Sequence, residues 1–206
     1  RDVAPSRGLG DVYKRQTDKL PDKLFQHYQQ HLDAWQNDLL SEDKSSPLYN
    51  HRLLFKSWQA PADQLLVGRP KVSGSVAVNQ NFGMLSFMLI DFGLAQRLTV
   101  SPQLIAAKAL DLGYHWREDD LKDFKLAPAT PFKMITKGHL NLQNRHEPWH
   151  AEAIQPNQFN DFSVELQPIF HRLLAGHQLG LVIYATDMKM TVRGNQDLQY
   201  LSLIHI

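Results

Sequence analysis

Leu20, Leu24, Tyr28, His31, Leu32, Trp35 and Leu39 follow one another at spacings that line up one face of a helix. The pattern predicts one amphipathic helix from about Asp22 to Leu40, with Pro21 near its start and the polar run Ser41 to Pro47 as its stop. Beyond Pro47 the texture changes to short apolar or alternating runs bounded by Gly, Pro, Asn and Asp. Strands are expected near Arg52 to Trp58, at Lys71 to Val78, where Val72, Val76 and Val78 share a face, and at Met84 to Asp91. The last is apolar on both faces, so it should lie in the middle of a sheet. Further runs are Lys133 to Gln143, Asp161 to Gln167 with Phe162, Val164 and Leu166 inward, and Gln178 to Thr186 with Leu179, Leu181 and Ile183 inward. A frayed pair near Thr191 and Leu198 to Tyr200 completes the set. Seven or eight short strands with long connections predict a mainly β domain of sandwich or jelly-roll type, with one N-terminal amphipathic helix and short helical insertions.

Two stretches are ambiguous. Ser101 as N-cap, Pro102 at the first helical position and Gly113 beyond the end favour a short helix, although the interior also alternates tolerably as a strand. Arg117 to Lys125 (REDDLKDFK) is a charge cluster expected in a solvated surface turn or helix. No internal repeat or low-complexity segment is present.

A length of 206 residues suits one domain, or one large domain with an appendage. With 22 basic residues against 21 acidic ones and no basic cluster, the chain is not built as a dedicated nucleic-acid or anionic-membrane binder. The absence of cysteine excludes a disulfide scaffold, a cysteine nucleophile and thiolate metal sites. The longest apolar run, Met84 to Ile90, is broken by Ser86 and is far short of the roughly 20 residues a spanning helix needs. Both ends read differently from the middle. DVYKRQ (Asp11 to Gln16) and LSLIHI (Leu201 to Ile206) resemble read-through translations of sequencing adapters, so the expected natural domain is 17–200, with 1–16 and 201–206 as adapter-derived scars. Arg1, Arg7, Lys14 and Arg15 against Asp2 and Asp11 put the slight basicity of the chain in the first of these segments.

The usual catalytic signatures are missing. No serine sits in G-x-S-x-G, and neither a G-x-x-x-x-G-K-[ST] loop nor a G-x-G-x-x-G turn occurs. His146-Glu147-Pro148-Trp149-His150 matches H-E-x-x-H, in which two histidines one helical turn apart hold zinc and the glutamate activates water. Pro148 lies between the ligands, where a helix tolerates it only in the first turn, so a surface loop is the expected setting. His27 and His31 are spaced i, i+4 and could chelate a metal, but no third ligand is indicated; one is expected partly exposed and one on the apolar stripe. Trp58, Trp116 and Trp149 could form a sugar-stacking platform, or serve as core and loop anchors. Asp119 and Asp120 are adjacent, which points them apart and makes them a poor acid–base pair.

Four strings carry a resemblance. KSWQAPADQLLVGRPKVSGSVAV (Lys56 to Val78), FGMLSFMLIDFGLAQRL (Phe82 to Leu98), ITKGHLNLQNR (Ile135 to Arg145) and FSVELQPIFHRLLAGHQLGLVIYATDMKMTVRG (Phe162 to Gly194) together resemble the C-terminal domain of Xaa-Pro dipeptidyl-peptidases. These are serine peptidases with an α/β-hydrolase catalytic domain. A looser form of the layout, including a strand ending in an Asp-Phe-Gly turn at Asp91 to Gly93, is shared with cocaine-esterase-like and acylase hydrolases. The resemblance covers nearly all of 17–200 and implies a galactose-binding-like jelly roll packed on a catalytic domain that lies upstream. The family's Ser, Asp and His precede this domain, so no catalytic, cofactor-binding or metal-binding residue carries over to this chain. His139, His171 and His177 lie inside the matching strings without an assigned role. The chain alone is then expected to be inactive.

For the parent, the resemblance implies removal of Xaa-Pro dipeptides from proline-containing peptides, no metal or cofactor, a cytoplasmic location and often a homodimer. Neither nucleic acid nor membrane is an implied partner. Because the family continues past Thr191 to Tyr200, a missing sandwich strand and an exposed edge near Leu179 to Thr186 are expected. An upstream strand before the helix should be missing as well. Two readings compete with this one: a free-standing carbohydrate- or ligand-binding module using Trp116 or Trp149, and a small zinc peptidase using His146 and His150.

Overall fold

The computed structural model describes residues 14–17, 19–104, 122–191 and 198–205. The order is β1 (Lys14–Thr17), α1 (Asp22–Gln30), α2 (Leu32–Leu40), β2 (Arg52–Gln59), β3 (Gln64–Gly68), β4 (Lys71–Val78) and β5 (Met84–Ala95). It continues with β6 (Leu98–Leu104), β7 (Lys122–Leu126), β8 (Thr130–Asn141), β9 (Phe159–Glu165), β10 (Ile169–Leu173), β11 (Gln178–Tyr184) and β12 (Gln199–His205). The domain is mainly β.

Two four-stranded antiparallel sheets, ordered β1-β12-β4-β9 and β2-β11-β5-β8, form the body. Val72, Val76 and Val78 from β4 and Phe162 from β9 pack against Leu85, Phe87 and Leu89 from β5 and Leu181 and Ile183 from β11. Full burial of each such side chain stabilises the fold by roughly 1.5–3 kcal/mol. The other face of the second sheet is also dry. Met88, Ile90 and Phe92 of β5 and Val182 and Tyr184 of β11 pack against Tyr28, Trp35, Leu39 and Leu40 of the helices. The result is three layers: sheet, sheet, helices. As the unbroken apolar run predicts, β5 is an interior strand, with β11 on one side and β8 on the other. Two ribbons, β3–β10 and β6–β7, complete the described strands.

The periodic stripe folds as two helices rather than one. At His31 the backbone leaves the helical region, with φ −128° and ψ 70°. The bend lets the Tyr28 hydroxyl donate to Asp38 Oδ2 at 2.6 Å. In a straight helix these residues stand about 15 Å apart along the axis, out of reach. Burial and the neighbouring carboxylate push the Tyr28 phenol well above its ordinary pKa.

Other expectations are corrected at the chain's extended segments. Ser101–Leu104 belongs to strand β6, not to a helix, and pairs with β7; 105–113 lies outside the described residues. Lys122–Lys125 is strand β7 rather than a solvated turn or helix, while 117–121 is not described. Among the described residues, β4 is paired on both sides. Gln199–His205 pairs with it from Tyr200↔Val78 to His205↔Ser73, and Lys14–Thr17, ahead of the helices, pairs with β12 in turn. The expected open edge at Leu179 to Thr186 is likewise filled, because β11 lies between β2 and β5. Leu198–Tyr200 therefore joins a sheet instead of a frayed pair with Thr191, which closes a turn onto Asp187. Finally, Asp91-Phe92-Gly93 is no turn: β5 runs on to Ala95 through an irregular register opposite β8.

Candidate functional site

The residues singled out for chemistry stay apart. His146 to His150 forms a loop, not a helix, so the H-E-x-x-H geometry is not made. His146 instead lies with Nδ1 2.7 Å from Glu152 Oε1, and Arg145 pairs with Glu152 at 2.7 Å. The His146 contact first, and the Arg145 charge after it, hold the Glu152 carboxyl below its usual range. His27 and His31 are both exposed, with ring centroids 4.7 Å apart; His31 does not face the core as expected, because the helix breaks there. Trp149 is 93% exposed and Trp58 79%, and among the described residues no ring contact joins them. Trp116, Asp119 and Asp120 lie outside the described residues.

The buried polar chemistry lies elsewhere, on two faces of the same sheet. On the sandwich side, Asp91 is 2% exposed and accepts from His177 Nδ1 at 2.7 Å and from His171 Nε2 at 3.0 Å. The Arg97 guanidinium stands 3.7 Å away and is fixed by the carbonyls of Gly93 and Thr130 at 2.9 and 2.6 Å. A carboxylate this buried is tolerable only when paired and hydrogen-bonded, and here both conditions are met. Gly93 is required by the packing: a Cβ there would sit 2.2 Å from the His177 ring.

On the helix side, Asp187 is fully buried. Its carboxylate accepts from the Tyr184 hydroxyl at 2.9 Å and from the Lys189 amide at 2.8 Å, with Lys137 Nζ 3.6 Å away. Burial and this carboxylate drive the Tyr184 phenol far above its ordinary pKa. Ser86, His139 and Asp187 follow one another here in a Ser–His–Asp array, but its proton directions are wrong for catalysis. The single Ser86 hydroxyl proton is donated to the Ala185 carbonyl at 2.8 Å. His139 Nδ1 therefore donates to Ser86 Oγ at 3.1 Å, where a general base would have to accept from it. Burial lowers the His139 pKa, and its Nε2, 3.8 Å from Asp187, has no hydrogen-bond partner. Ser86 is also wholly buried, beyond reach of a substrate. The array ties β5, β8 and the segment after β11 together; it does not attack a carbonyl.

An open cleft of about 810 Å³ lies where the end of α2 meets the second sheet, with Leu40, Glu42, Lys56, Phe92, Phe132 and Gln178 on its walls. Lys56 spends its charge within it, 2.9 Å from Glu42 and 4.8 Å above the Phe92 ring. Sequence reasoning named His139, His171 and His177 without roles and missed Asp91, Arg97 and Asp187. A lone acid directly after the apolar run Met84 to Ile90 was the available signal for Asp91.

The family model for the X-Pro dipeptidyl-peptidase C-terminal non-catalytic domain matches residues 4–203. The chain belongs to that family. Within it, the chain is 85% identical over 184 residues to the Xaa-Pro dipeptidyl-peptidase of Lactiplantibacillus plantarum, covering 89% of this chain and 23% of that protein. It is 50% identical over 188 residues to the Pediococcus pentosaceus enzyme and 34% over 191 residues to that of Streptococcus gordonii. The chain thus spans about a quarter of the length of these curated relatives. Two solved structures share the fold, each at a TM-score of 0.53. They are an aminopeptidase from a marine-sediment thaumarchaeon, 9% identical over 94% of this chain and 31% of that one, and an α-amino acid ester hydrolase, 12% identical over 98% and 31%. Among the described residues of this C-terminal domain, no helix is long and apolar enough to cross a membrane.

Proposed function

We propose that this chain serves as the jelly-roll, galactose-binding-like C-terminal domain of a serine-type Xaa-Pro dipeptidyl-peptidase. Its part is to buttress an α/β-hydrolase catalytic domain in the same polypeptide. The chemistry, release of Xaa-Pro dipeptides from the N-termini of proline-containing peptides, belongs to that other domain. The parent acts in the cytoplasm, as a homodimer. The observation that carries the reading is 85% identity to an Xaa-Pro dipeptidyl-peptidase of which the chain covers only 23%. The reversed proton directions around Ser86 and His139 support it, since they leave this domain's own Ser–His–Asp array without a nucleophile.

The test is a graft. The segment is expressed alone, and also in place of the matching segment of the Lactiplantibacillus plantarum enzyme, and hydrolysis of an Xaa-Pro p-nitroanilide is followed. The graft is expected to turn over and to be silenced by a serine-directed inhibitor, while the segment alone shows none of this activity. Turnover by the segment alone, or a folded but inactive graft, would overturn the proposal.

A further inference from the structure

The β3–β10 ribbon breaks the rule for a strand pair that faces water. Its inward side carries Leu66, His171 and Leu173, and His171 anchors it to buried Asp91 at 3.0 Å. Its outward side should be polar, yet it carries Leu65, Val67 and Phe170, exposed by 59, 64 and 79%. The register sets Phe170 across from Val67 and Arg172 across from Leu65, so the three apolar side chains are neighbours. The one charge among them, Arg172, is engaged by Asp63 through its Nε at 3.0 Å. The run Leu65-Leu66-Val67 does not alternate at all. A strand apolar on both faces is a strand covered on both faces, as β5 shows within this same domain.

We infer that the outward face of the β3–β10 ribbon, centred on Val67 and Phe170, is the surface against which the catalytic part of the longer polypeptide packs. The inference rests on the function proposed above and adds the face to it. Two observations choose this occupant. More than three quarters of each curated relative's length lies outside the stretch matched here. The patch itself is three large apolar side chains set side by side by the register on a face that an antiparallel pair open to water would make polar. A free second copy would need about 800 Å² per partner for a stable contact, whereas a domain on the same chain is held at an effective millimolar concentration and needs less. The ribbon is also held rigidly for the purpose. Besides the His171 anchor, Asp63 accepts from the Ala175 amide at 2.8 Å and so fixes the turn that follows β10.

The chain has no cysteine, so single thiols can report on the face. Val67→Cys, Phe170→Cys and, as the open control, Trp149→Cys are made separately in a cysteine-free version of the grafted peptidase, and maleimide labelling rates are compared. Labelling at 67 and 170 is expected to be at least about tenfold slower than at 149, at every protein concentration, with the difference abolished in denaturant. Rates within about twofold of the control, in a graft that still cleaves the Xaa-Pro p-nitroanilide, would overturn the face while leaving the functional reading intact. Protection that disappears on dilution would overturn it in favour of a second copy. Loss of activity in the unmodified graft would instead sink the functional reading. Val67→Cys changes little volume and keeps the test usable if Phe170→Cys fails to fold.

Discussion

Asp91 and Asp187 sit on opposite sides of one sheet, equally removed from water, and are satisfied in different ways. Around Asp91 two imidazoles aim N–H groups at the carboxylate, with a guanidinium behind them. Around Asp187 a phenol and an amide do the bonding, while the nearest imidazole turns an unpartnered nitrogen toward it. The first network is complete and the second is not. The lesson is that histidine beside a buried aspartate has no single meaning. What the ring contributes depends on which nitrogen the opposite neighbour has already committed.

The largest break in this comparison is Asp91→Ala. It leaves two imidazole donors without their acceptor and the Arg97 guanidinium without its counter-charge, and urea unfolding should show a loss of about 3–5 kcal/mol. Smaller is Gly93→Ala, which pushes a methyl into the His177 ring and should cost about 1–3 kcal/mol. In a double-mutant cycle most of that cost should vanish on a His177→Ala background, and full additivity would contradict the stated clash. The contrast sharpens with matched replacements. His177→Leu removes a donor to a charged group and should cost about 1.5–3 kcal/mol, whereas His139→Leu, which also removes an orphaned nitrogen, should cost about 1 kcal/mol or less. Equal losses for the two would erase the distinction.

Acid separates them further. Burial holds His139 below its ordinary pKa of 6.5, so the unfolded chain takes up a proton that the folded chain refuses. Stability from this group is therefore full above pH 6.5 and falls as the pH drops below it. The urea midpoint of the unsubstituted chain should decline more steeply between about pH 7 and pH 5 than that of His139→Leu, and parallel declines would count against it. At the small end, Trp149→Ala removes a side chain in open water and should change stability by no more than about 0.5 kcal/mol.

Much of the fold was legible because burial imprints periodicity. β4 was readable to the residue from its valines, and the unbroken run in β5 announced a strand covered on both faces. The stripe from Leu20 to Leu39 identified the helical layer but not its break at His31, which brings Tyr28 onto Asp38 in a contact that no repeat encodes. β3 and β10 escaped notice. Each has five residues, neither alternates, and their partners are about a hundred positions apart. The polar networks were harder still. Asp91 meets His171 and His177 across 80 and 86 residues, a distance over which local pattern carries nothing. The H-E-x-x-H string showed the converse, a local match with no structure behind it, as Pro148 foretold.

The placement of β11 sets a timetable for synthesis. β5 pairs with β8 on one side, which can happen once Asn141 is available, but its other side waits for β11, and so does β2. The 43 residues from Leu142 to Tyr184 take a ribosome roughly 2–9 s to add. Throughout that interval the nascent chain holds its most apolar strand with one rim of backbone N–H and C=O groups unclaimed. A neighbouring nascent chain at the same stage offers the same rim, so crowded translation of this domain favours mispairing until the ribosome has passed Tyr184.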